Sequence, residues 1–146
     1  MSFDIALKYT LQFEGGYVND PDDRGSETNK GITKAVYDEY RTKNSLPIQS
    51  VKNISDKEVQ DIYYKQYWLA AGCDKLSDKL AIVVFDFSVN SGVSRAKRYL
   101  TLTQDPNKYL DLRADFFKKI VQNDPSQQKF LKGWLNRAEN LRKIIA

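Results

Sequence analysis

Phe13-Glu14-Gly15-Gly16-Tyr17-Val18-Asn19-Asp20-Pro21 sets one carboxylate against two glycines and then opens into a polar loop. Upstream of it, Phe3, Leu7, Leu11 and Glu14 recur at the spacing of one helical face. Ser2 suits the helix start and Asp4 its first turn. The glycine pair stops the helix, so the spacing predicts Glu14 in the last turn, on the Phe3/Leu7/Leu11 face. Apolar neighbours disfavour the charged form of such a carboxyl, and so does the negative end of the helix dipole. Both effects suit a proton donor. Ile5, Tyr9 and Phe13 form a second apolar stripe, and if that is the core face Glu14 sits on an exposed rim. The helix alone leaves both readings open.

The loop that follows is acidic. Between Glu14 and Thr28 the acids are Glu14, Asp20, Asp22, Asp23 and Glu27, against Arg24 alone. Cleaving a glycosidic bond needs an acid on the leaving oxygen and a second group that handles water or the developing cation. Glu14 and Asp23 across the glycine pair are candidates for the two roles, with Thr28 positioning a water. The competing reading makes Asp20 and Asp23 turn formers, which is common for Asp in loops. The series lacks the alternating ligands and terminal Glu of a calcium loop.

Composition removes several chemistries. The 146 residues include no His and one cysteine, Cys73. That excludes a His-based triad, a His–zinc site and an internal disulfide framework. Acid–base work falls to Asp, Glu, Tyr, Lys or the lone thiol, and no metal or other cofactor is expected. No apolar run reaches the roughly 20 residues of a membrane span. The N-terminus, interrupted by Asp4, Lys8 and Gln12, has no signal-peptide pattern, so the reading is a product made in the cytoplasm. Net charge is +4, and from Lys118 to Ala146 there are seven bases against Asp124 and Glu139. Such a region suits an anionic polymer or is simply a solvated helical face. No motif points to nucleic acid.

Beyond the loop the chain reads as helices. Thr33 caps one that runs to about Lys43, and Ser55-Asp56-Lys57-Glu58 is a capping box for the next. Ser77 starts a helix that is apolar nearly all round from Leu80 to Val89, hence central, and Gly92 closes it. Another short helix is expected near 94–102. Asp105-Pro106 and Asp124-Pro125 are cap-and-proline pairs that start the last two helices. The expected fold class is mainly α in one domain of six or seven helices, with a small polar loop or hairpin lobe near residues 17–33.

Within the central helix, Asp86 and Asn90 stand one turn apart. Buried polar groups need partners, at about 1–3 kcal/mol for each left unpaired. A groove that binds substrate hydroxyl or acetamido groups meets that need, and so does a tie to a neighbouring element. Tyr63 and Tyr67 read as core, whereas Trp68 is either core or a stacking face for a sugar. Cys73, with no activating base beside it, reads as a buried apolar residue.

Glu14-Gly15-Gly16-Tyr17-Val18-Asn19-Asp20-Pro21, with Asp23, Gly25, Thr28 and Gly31-Ile32-Thr33, resembles the signature of glycoside hydrolase family 108. Tyr67-Trp68, Phe85-Asp86, Val89-Asn90-Ser91-Gly92 and Gly133-Trp134 with Asn136-Arg137 resemble the region that follows in that family. One departure is Gly25-Ser26, where members often carry two glycines. The resemblance implies a lysozyme-like N-acetylmuramidase of the endolysin type, with a catalytic region over 1–92 and peptidoglycan-associated helices over 93–146. It implies that Glu14 is the catalytic acid. By looser analogy with phage lysozymes, Asp23 and Thr28 are its partners and Arg137 its contact. Asp20, Asn90, Asp86 and Trp68 are then the expected substrate-binding residues. The implied partner is peptidoglycan, reached by a monomer released through a holin-like membrane protein. A lytic transglycosylase or a non-catalytic wall-binding module are the alternatives.

Overall fold

Helix boundaries fall where side chains can satisfy the free backbone groups of each end. The computed structural model describes residues 2–19 and 27–146. Asp20, Asp23 and the Gly25-Ser26 departure lie outside the described residues. The elements, in chain order, are α1 (Ser2–Leu11), β1 (Val18–Asn19), β2 (Glu27–Asn29), β3 (Ile32–Thr33), α2 (Lys34–Lys43), α3 (Asp56–Tyr63), α4 (Asp78–Ser91), α5 (Val93–Leu100), α6 (Pro106–Asn123) and α7 (Gln128–Ile145). Short 3-10 turns and one π-helical segment, Tyr64–Leu69, lie between them. None of these helices is long and apolar enough to cross a membrane.

The expected caps form. Thr33 Oγ1 accepts from the Val36 N–H, and Ser77 Oγ from that of Leu80. Ser55 and Glu58 make the reciprocal capping box. Asp105 accepts from the N–H groups of Asn107 and Lys108. Asp124-Pro125 opens a single 3-10 turn, Pro125–Gln127, which then feeds α7. Gly92, at φ +100°, ends α4 in a backbone region that favours glycine.

The chain forms two compact units, one of Leu7–Gln66 and one of Met1–Ala6 with Tyr67–Ala146. In the first, β1, β2 and β3 make an antiparallel sheet in chain order, with Val18 opposite Thr28 and Asn29 opposite Ile32. The expected hairpin is thus present. Asn29 is buried, and its amide donates to the Val51 carbonyl at 3.1 Å. Glu58 anchors α2 to α3, accepting from Tyr37 Oη at 2.8 Å and Arg41 at 3.2 Å. Burial alone would raise the Glu58 pKa, but the Ser55 N–H, Tyr37 and Arg41 outweigh it and hold the carboxyl below its ordinary value.

The second unit is built round α4, whose residues Leu80 to Ser88 are all buried, as its all-round apolar character requires. Phe87 meets Tyr99, Tyr109, Phe116 and Phe117, and Trp134 stacks on Phe117 at 4.7 Å. Cys73 is 1% exposed. Burial pushes its thiol up to about 12, with Asp74 adding to the shift.

Two expected substrate contacts are corrected here. Asp86 is 0% exposed. Its carboxylate accepts from Arg113 at 2.8 Å and from Arg137 at 2.7 Å. Burial would raise its pKa, but the two guanidinium groups reverse this and hold it below the ordinary carboxylate value. Asp86 is therefore an internal tie between α4, α6 and α7, with no face left for a sugar. Trp68 is 5% exposed and packs edge-on to Phe3 at 5.3 Å and against Phe85 at 5.7 Å. Its ring belongs to the core, where an aromatic surface contributes most.

Candidate active site

Glu14 stands just past α1, which ends three residues earlier than its apolar spacing suggests. The N–H groups of Gln12, Phe13 and Glu14 bond to the carbonyls of Tyr9, Thr10 and Leu11, each three residues back. These bonds tighten the chain from α to 3-10 winding before the glycines. The carboxyl still shares a wall with the helix face. A cavity of about 400 Å³ is lined by Leu7, Leu11 and Glu14 with Gly15, Gly16, Lys30, Asp56, Val59 and Gln60. Glu14 is half-buried there. Leu7, Leu11 and Val59 give the lining its apolar part, and the two glycines leave room in front of the acid.

The opposite wall is the turn between β2 and β3. Asn29 pairs with Ile32, so the connection is two residues long. Lys30 has φ 53° and Gly31 φ 79°. Two consecutive left-handed residues are the mark of a type I′ hairpin turn, whose twist matches that of its strands. A non-glycine residue in that region costs on the order of 1–2 kcal/mol. Lys30 is held in it by three bonds. Its N–H donates to the Gly15 carbonyl at 3.0 Å. Its carbonyl accepts from Tyr63 Oη at 2.7 Å. Its ammonium pairs with Asp56 at 2.9 Å. Gly31 lies directly against the acid. A Cβ there would sit 2.9 Å from Glu14 Oε2 and 2.5 Å from Tyr63 Oη.

A family profile described as Glycosyl hydrolase 108 matches residues 7–92, more than half of the chain. The chain belongs to glycosyl hydrolase family 108. Glu14, its cavity and the Lys30–Gly31 turn all fall inside the family segment. A glycoside hydrolase is thus the class of enzyme expected from this site. The fold is shared with a solved structure titled "Structure of Brucella abortus SagA", at TM-score 0.70 and 24% identity, over 98% of this chain and 92% of that one. The expected mainly α class, with a small hairpin lobe, stands on the helices and the three short strands described above. No curated protein sequence matches the chain significantly.

The other expected site residues of this family 108 chain are distributed unevenly. Thr28 lies in β2, half-buried, opposite Val18 and Thr33. Its neighbours Glu27 and Asn29 both bond toward Ser50 and Val51, so strand alternation turns Thr28 to the other face of the sheet. It is not among the described residues lining the Glu14 cavity. Asp20 and Asp23 lie outside the described residues. Asn90 is half-buried at the end of α4, and its Nδ2 is a buried donor with no partner among the described residues. Arg137, the expected contact of Glu14, binds Asp86 through Nε and Nη2.

Glu27 has a role not anticipated in the acidic loop. It accepts from Tyr17 Oη and from Ser50 Oγ, each at 2.7 Å. Those two hydrogen bonds, Ser50 first, hold its carboxyl below the ordinary value. Lys30, Asp56 and Gln60 were also missed as cavity residues. The available signal was Lys30-Gly31 itself, an X–Gly pair between two short β-prone stretches.

Proposed function

We propose that this chain hydrolyses peptidoglycan at the β-1,4 bond between N-acetylmuramic acid and N-acetylglucosamine, with Glu14 as the general acid. The observation that carries this reading is the half-buried Glu14 carboxyl, opening into a cavity of about 400 Å³ inside the family segment. Glu14 protonates the leaving glycosidic oxygen. Asp23 is assigned the second role, stabilising the developing cation or activating water, with Thr28 helping to place that water. Asp20 and Asn90 are assigned to substrate. The unpartnered Asn90 amide is chemically suited to an acetamido carbonyl. Exposed lysines of the C-terminal helices favour dwelling on an anionic wall. The enzyme acts as a monomer on the wall after release by a holin-like membrane protein.

Glu14→Gln keeps the shape of the side chain and removes its proton. It is expected to abolish clearing of purified cell walls while the melting curve stays unchanged; full clearing by that variant ends the proposal. One observation favours a second reading. Asp56 is the other carboxylate among the described residues lining the cavity, and Lys30 engages it. A lytic transglycosylase needs only one acid. Mass spectrometry of the products separates the two, because hydrolysis adds a water and transglycosylation leaves an anhydro-sugar. Binding to walls with no soluble product would instead mark a non-catalytic module.

A further inference from the structure

We propose that Tyr63 is a positioning residue for Glu14, working through the Lys30–Gly31 turn and favouring the protonated carboxyl. The inference rests on the reading of Glu14 as the acid. Tyr63 is 1% exposed, so its ring belongs to the core, yet its hydroxyl emerges beneath Gly31. A single point, the missing Cβ of Gly31, lies 2.5 Å from Tyr63 Oη and 2.9 Å from Glu14 Oε2. Phenol and carboxyl oxygens therefore both lie against the Gly31 backbone, separated by no more than the sum of those two distances.

The phenol has one proton, and it is donated to the Lys30 carbonyl at 2.7 Å. What remains on Oη toward other neighbours is lone-pair density. Such an oxygen accepts from a protonated carboxyl and repels a carboxylate, so it favours the acid form. The same hydrogen bond secures the left-handed Lys30, and that turn carries Gly31 against Glu14. Tyr63 thereby sets both the position of the acid and the form it is held in. The charged groups lining the cavity beside Glu14 among the described residues are Lys30 from the hairpin and Asp56 from α3. They pair at 2.9 Å, so their fields on Glu14 oppose one another.

The test uses the full chain and soluble oligomeric glycan strands from peptidoglycan. Tyr63→Phe keeps the core ring and deletes only the hydroxyl. The expected result is a fall in kcat on the order of 10-fold with KM within about 2-fold. The alkaline limb of the kcat profile is expected to move down by about half to one pH unit. Gly31→Ala places a methyl on both oxygens and is expected to lower kcat further. In the Tyr63→Phe background the same Ala should cost less, because one of the two overlaps is gone; the backbone strain at Gly31 cancels in that comparison. Should Tyr63→Phe melt early, its kcat and alkaline limb are measured well below its melting temperature, where the folded form dominates. An unchanged kcat and alkaline limb in folded Tyr63→Phe, or an unchanged kcat in Gly31→Ala, overturns the inference. Glu14→Gln assayed alongside separates the two failures. If Glu14→Gln is inactive while Tyr63→Phe behaves as wild type, the positioning role alone falls. If Glu14→Gln stays active, the reading of the acid falls with it.

Discussion

At the scale of single residues, Asp86 shows how one buried charge is accommodated. Two guanidinium groups meet one carboxylate in a place that excludes water, and Arg113 also donates to the Val83 carbonyl at 3.2 Å. Removing the carboxylate leaves two buried cations without their counterion, a change that typically costs about 3–5 kcal/mol. Asp86→Asn is expected to lose stability of that order in urea titration at neutral pH. The wild-type carboxyl has its folded-state pKa below the ordinary 3.8. Its contribution is therefore complete above that value and is lost as the pH falls through the lower, folded-state value. Stability measured from pH 4 downward should decline more gently in Asp86→Asn than in wild type; equal slopes would show that Asp86 does not govern the acid limb. Neither arginine could be matched to Asp86 from sequence, because the partners lie 27 and 51 positions away. The i, i+4 relation of Asp86 to Asn90 was legible, but it could not tell a tie from a groove.

At the scale of elements, local chemistry was easiest to read. Thr33, Ser55, Ser77 and Asp105 all cap where their side chains can reach the first free N–H groups. Such contacts span three residues or fewer and need no tertiary context. Ser55 gives the measurable case, since it caps the helix that holds Asp56, Val59 and Gln60 against the cavity. Ser55→Ala should lower stability by about 1 kcal/mol and leave the other half of the box, Ser55 N–H to Glu58, in place. A thermal melt indistinguishable from wild type would show that the cap carries no weight. The end of α1 was harder. Apolar spacing carried the helix to Glu14, whereas 3-10 bonds already tighten the chain from Gln12 onward. Periodicity does not register a change of winding within one turn, though it did bring Leu7, Leu11 and Glu14 to a common wall. The hairpin was visible as a possibility. Its exact turn was not, because Lys is an unusual first residue for a type I′ turn and is kept there by Gly15, Tyr63 and Asp56.

At the scale of the whole molecule, charge and its destination differ by residue type. The chain carries a net +4. In the basic C-terminal stretch Lys118, Lys119, Lys129, Lys132 and Lys143 are exposed. Arg137 serves the interior, and Arg142 is occupied by Asp111, Glu139 and Asn107. The count of bases was readable from the sequence, but which of them face solvent was not, because an arginine's partners are set by packing. The single thiol has a practical use of the same kind. Cys73 sits sealed beside α4 with its proton held tightly, so a colourless thiol reagent meets nothing to react with until that unit parts. Labelling by an aromatic disulfide should be slow in buffer and should quicken with urea in step with loss of near-ultraviolet circular dichroism; prompt labelling in buffer would contradict the burial. With no second cysteine and no engineered probe, the natural chain is its own stopwatch for how often its interior opens.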